Sequence, residues 1–159
     1  MSLNNSYGTA LTLASIVLAS KITLLHVATA RERIITENFV RRVDEKNALI
    51  SIFKLVTFAY PGTAIGGADF IERAERIAKN CAENEPFFLA MATIAGLTGN
   101  IPMELGTTMI QAYVAARCAH TGIYLMGDNL NSALRGCTFV FGALTTLAFA
   151  GMTYTQIKE

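Results

Sequence analysis

Residues 136–157, "GCTFVFGALTTLAFAGMTYTQI", run for 22 residues without a charge. A chain segment of this kind has few places to go. A bilayer-spanning helix needs about 20 mostly apolar residues, and a surface helix of a soluble bundle needs a polar stripe along its length. The only polar side chains here are Thr, Tyr and Gln, spread around the helix, so no such stripe forms. The rest of the chain repeats the pattern: residues 1–20, 86–103 and 105–116 are also uncharged. Charged residues make up 16% of the 159-residue chain, against about a quarter in an ordinary soluble domain. The expectation is an all-α, multi-pass integral membrane four-helix bundle forming a single domain over 1–159, with helices near 8–30, 76–99, 103–126 and 132–155.

The basic residues sort by position. Nine of the thirteen lysines and arginines fall between 31 and 79. The positive-inside rule then places the long first loop, 31–70, on the cytoplasmic side, with both termini opposite. Within it, residues 47–62 are apolar but too short to span, which suits an interfacial segment. A net charge of +1 gives no reason to expect a nucleic-acid partner. Cys81, Cys118 and Cys137 lack metal-ligand spacing and are odd in number, so neither a metal centre nor a disulfide framework is expected.

The informative residues are polar ones in apolar surroundings, because charge inside a bilayer is costly and turns toward a bundle interior or a wet cavity. Arg73, Arg76, Asn80 and Glu83 share one stripe of the second helix. Pro86 follows and frees the carbonyl of Ala82. Tyr113, Arg117, His120 and Tyr124 lie within about 60° of one another on the third helix, and Glu83 or Glu104 could pair with Arg117. The fourth helix has a start signal at Asn131 or Ser132, which puts Arg135 in its first turn. A cation is disfavoured at a helix N-terminus unless an anion is to be held there. With Lys79, Glu83 and Glu85, these residues offer cations, an amide and carboxylates at the cytoplasmic boundary. The complement is a small zwitterion with carboxylates, amides and an amine.

Three stretches in order, "LASKITLLHVATARER", "RIAKNCAENEPFF" and "ARCAHTGIYL", resemble the MAPEG family, membrane-associated proteins of eicosanoid and glutathione metabolism. The first looks most like the microsomal glutathione transferase branch. The resemblance implies a homotrimer that binds glutathione between subunits near the cytoplasmic face. It assigns Arg33, Arg76, Asn80, Glu83, His120 and Tyr124 to glutathione binding, and Arg135 to stabilising the glutathione thiolate. Lys79, which stands where some branches have arginine, and Arg117, in the same motif as His120 and Tyr124, are expected to join the binding set. Gly136, Phe139, Asn84 and Glu85 depart from the family pattern, and the first loop is about ten residues longer than in the family. The expected function is a glutathione transferase or peroxidase, with glutathione as co-substrate and a hydrophobic electrophile or lipid hydroperoxide as second substrate. The membrane would be the endoplasmic reticulum or an organelle membrane in a eukaryote, the inner membrane in a bacterium. The alternative is a non-enzymatic binding protein or a subunit of a larger membrane complex.

Overall fold

The computed structural model describes residues 5–36, 65–99, 101–126 and 132–157. They form four helices: α1, Asn5–Ile35; α2, Gly67–Thr98; α3, Met103–Leu125; and α4, Ser132–Ile157. Two of them, over Ser6–Ile35 and Ala133–Tyr154, are long and apolar enough to cross a membrane, and little of either apolar stretch is buried within the chain. Leu13, Ile16, Leu24 and Val27 on α1 and Val140, Phe141, Leu144 and Leu147 on α4 all face outward. Apolar patches of that extent mark a surface covered by lipid or by protein. Their hydroxyl residues are reconciled with such surroundings locally. Thr12, Ser15, Thr29, Thr145, Thr146 and Thr153 each donate to the carbonyl four residues earlier, which leaves the polar group satisfied within its own helix.

The chain divides into two compact units, residues 1–21 with 79–159, and residues 22–78. In the first unit the core joins all four helices through Tyr7, Leu11, Leu18, Phe88, Ala92, Ile110, Tyr113 and Phe149. Phe88 stacks on Tyr113 with ring centroids 3.5 Å apart and takes Phe149 edge-on at 5.7 Å. The Tyr7 hydroxyl donates to the Ala92 carbonyl at 2.6 Å. That approach depends on Gly106, where a Cβ would stand 2.5 Å from the Tyr7 ring. Gly142 has a similar duty on α4: a Cβ there would lie 3.3 Å from Cδ of Arg117 and 3.5 Å from the Tyr113 ring.

The second unit is organised by one carboxylate. Glu32 is fully buried and accepts hydrogen bonds from the backbone N–H groups of Ile65, Gly66 and Gly67 at 3.0, 2.9 and 2.6 Å. The Gly66 and Gly67 groups are among those a helix N-terminus leaves without intrahelical partners, and a negative charge there suits the helix dipole. Gly67 adopts φ +58, a left-handed conformation that favours glycine. Phe70, Ile71, Ala74 and Ile77 of α2 are buried in the same unit, and Arg33 pairs with Glu75.

This capping explains the main difference from the expected boundaries. The second helix begins at Gly67 rather than near 76, because its start is stabilised by a residue 35 positions earlier. Likewise α1 continues to Ile35, so both ends of the expected 31–70 loop are helical. The segment 47–62 lies outside the described residues. Pro86 sits inside α2 without ending it.

Gly106→Val should drive a side chain into the Tyr7 ring and lower stability by about 1–3 kcal/mol. Gly136→Ala, with nothing within 4 Å of the new Cβ, should not. Thermal unfolding of the two variants in the same detergent makes the comparison.

Candidate functional site

The polar residues of α3 occupy one face, and it points inward. Tyr113, Arg117 and His120 are buried and Tyr124 is half-buried. A buried guanidinium needs partners for both its charge and its N–H groups, and Arg117 finds them on α2. Its Nε lies 3.4 Å from Oε1 of Glu85. Its Nη2 donates to Oδ1 of Asn80 at 2.6 Å and lies 3.9 Å from the Cys81 sulfur. The same Oε1 of Glu85 accepts from Nζ of Lys21 on α1. One carboxylate thus serves two cations, and three helices meet at it.

Arg117 therefore pairs with Glu85, not with Glu83 or Glu104. The reason is angular: Glu83 and Glu85 are two residues apart, roughly 200° around a helix. Glu83 consequently stands on the exposed face, 4.0 Å from Lys79 one turn back. Glu104 is exposed in the first turn of α3. Lys21 was legible only as a charge interrupting an apolar helix; nothing in its own spacing names its partner.

A second cluster joins α3 to the start of α4. Nδ1 of His120 lies 3.2 Å from the Arg135 carbonyl oxygen and 3.1 Å from the Thr138 hydroxyl. A carbonyl can only accept, so Nδ1 carries a proton, and in the neutral ring Nε2 remains as the acceptor. The Thr138 hydroxyl reaches the carbonyls of Leu134 and Arg135. Arg135 is in the first turn of α4, with its guanidinium carbon 5.3 Å from the centroid of the Tyr124 ring, a cation–π arrangement. The Tyr124 and Phe139 rings flank His120, at 6.0 and 6.3 Å. Thr138 is the member that the sequence reading missed; a threonine one turn beyond Arg135 on the same helix was its only signal.

The other residues are placed differently. Arg76 and Lys79 are exposed on α2, with Arg76 paired to Glu72. Asn80 is half-buried, at the edge between the inner and outer faces. Arg33 and Arg76 belong to the second unit and the rest to the first. Within the first unit, Asn80 and Arg117 are brought together, as are His120, Tyr124 and Arg135. Glu83 and Lys79 stand outside both groups. Among the described residues, no group of three or more His, Cys, Asp or Glu side chains could hold a metal ion.

The family signature described as MAPEG matches residues 9–155. The chain belongs to the MAPEG family. That family consists of membrane proteins and includes glutathione transferases and related proteins. The match runs through all four helices and both clusters, including the Arg117–Tyr124 stretch and Arg135. A search of curated proteins finds no match.

Arg117→Met would leave Glu85 with Lys21 alone and Asn80 without its donor. Breaking a buried charge pair in this way costs about 3–5 kcal/mol. Glu104→Gln, at an exposed position, should change stability by less than about 0.5 kcal/mol. Chemical unfolding of both variants in micelles distinguishes the two positions.

Proposed function

We propose that this MAPEG protein is a glutathione transferase, with glutathione peroxidase chemistry open to the same site. The observation that carries the reading is Arg135. A guanidinium held in the first turn of α4, the positive end of that helix, and over the Tyr124 ring, is a place for an anion. A thiol with a pKa of about 8.5 is mostly protonated at neutral pH, and a guanidinium within about 4–6 Å lowers such a pKa by roughly 1–3 units. Arg135 would hold the glutathione sulfur as thiolate. The thiolate then attacks an electrophilic carbon and displaces its leaving group or opens its ring. With a lipid hydroperoxide, it attacks the terminal oxygen and the O–O bond breaks. The lipid leaves as an alcohol after taking a proton, and a second glutathione converts the sulfenic acid to disulfide and water.

Arg33, Arg76, Lys79, Asn80, Glu83, Arg117, His120 and Tyr124 would bind or support the peptide. The exposure of Arg76, Lys79 and Glu83 on one protomer supports a site completed by a neighbouring copy, hence a homotrimer in the bilayer. Four membrane passes, with the 31–70 and 127–132 segments on the cytoplasmic side, are the arrangement that the distribution of basic residues favours.

Arg135→Leu should abolish thiolate absorbance in the ultraviolet while keeping most of the glutathione affinity, because the arginine acts on a charge present only in the ionised sulfur. Arg76→Leu and Glu83→Gln should instead weaken binding itself, each leaving an ionic group of glutathione without its partner. Calorimetry and absorbance on the three variants separate these roles, and equal proportional losses would defeat the division. An unmodified protein that binds no glutathione would leave the non-enzymatic scaffold as the better reading.

The topology has its own test. A single thiol from Asn47→Cys, with the three native cysteines replaced, should react in sealed vesicles from the side opposite the termini. Reaction from the terminal side alone would reverse the arrangement.

A further inference from the structure

We propose that Lys21 and Glu85 are positioning residues that set, through Arg117, which way the Asn80 carboxamide faces, and so make Asn80 select an acceptor on its ligand. The inference rests on the reading that Asn80 contacts glutathione. Neither Lys21 nor Glu85 is among the residues that reading assigns to the peptide.

A side-chain amide presents an oxygen that accepts and a nitrogen that donates. Which of the two it shows a ligand depends on what holds the other. Here Arg117 Nη2 donates to Oδ1 of Asn80 at 2.6 Å. An arginine is donor-only, so this contact fixes Oδ1 toward Arg117 and leaves the Nδ2 hydrogens to be offered. Their complement is a carboxylate or carbonyl oxygen, not an ammonium group.

The bearing of Arg117 is itself determined from behind. The guanidinium is a rigid planar fork, so Nε on Glu85 at 3.4 Å dictates where Nη2 points. Glu85 alone would be a carboxylate on a side chain with several rotatable bonds. Lys21 takes the same oxygen from α1 and removes that freedom. The three charged side chains are 10%, 3% and 2% exposed for Lys21, Glu85 and Arg117, so water cannot substitute for any of them. The backbone beneath is steadied as well, since Asn84 Nδ2 donates to the Asn80 carbonyl at 2.8 Å. The chain of command is Lys21 to Glu85 to Arg117 to Asn80, across three helices, and Lys21 and Glu85 act on the ligand only through the last two.

The test is a double-mutant cycle on glutathione affinity, measured by calorimetry on the detergent-solubilised full chain. Glu85→Gln and Lys21→Met are made alone and in an Asn80→Ala background. Each should weaken glutathione roughly tenfold in the Asn80 protein, about the worth of one hydrogen bond to a charged group. Each should do almost nothing further once Asn80 is gone, whereas a merely structural loss would carry over in full. Lys21→Arg should restore the affinity, and the ionisation of bound glutathione should be unchanged throughout, because Arg135 is untouched. A ligand-free readout keeps the two ideas separable. The side-chain amide signals of Asn80, assigned by their loss in Asn80→Ala, should shift in both Glu85→Gln and Lys21→Met. If the unmodified protein binds no glutathione, the transferase reading fails, and the amide signals alone decide the positioning. Losses that add across the cycle, or Asn80 signals indifferent to both substitutions, overturn the proposal. Should Glu85→Gln not fold, Lys21→Met carries the same comparison.

Discussion

A single carboxylate oxygen, Oε1 of Glu85, accepts from Lys21 and faces Arg117. Two cations held near each other in an apolar interior repel, and each has given up its hydration. Without the carboxylate between them neither could remain buried there. Because the three residues come from α1, α2 and α3, the requirement to satisfy them fixes the rotation of each helix about its axis. Packing then follows. Phe88 lies one turn beyond Glu85 and stacks on Tyr113, one turn before Arg117. The aliphatic stem of Arg117 reaches α4 at Gly142, where a side chain would crowd it.

Much of this was legible in the sequence, because charge segregation is a property of the chain itself. The four helices, the shared face of Tyr113, Arg117, His120 and Tyr124, and the place of Arg135 in the first turn of α4 all follow from spacing and local signals. What spacing could not supply was the partner. Glu83 and Glu104 were the expected partners of Arg117, and only the rotation of α2 against α3 shows that Glu85 takes that place. Lys21 and Thr138 owe their roles to residues on other helices. The start of α2 was missed for the same reason, since its cap comes from Glu32 on α1 and not from the residues just before it.

The α2 stripe shows a different limit. Arg76, Asn80 and Glu83 do share a side of the helix, yet it is mostly exposed rather than turned to the core. Asn80 turns in to Arg117 while Arg76 and Glu83 stay outside with Glu72 and Lys79. Periodicity identifies a common face but not what the face meets, and a face left exposed looks the same on a helical wheel as one that meets the core.

The Glu32 clasp separates the length of the intervening chain from the geometry it connects. Glu32 grips the backbone at 65–67 directly, so the end of α1 and the start of α2 are tied by a contact of their own. The entropy of closing such a loop grows only with the logarithm of its length, about 0.6 kcal/mol for each doubling. Insertions between Thr36 and Ile65 would therefore be cheap to accommodate. The Glu32 contact would hold the two helix ends in register whatever number of residues joins them.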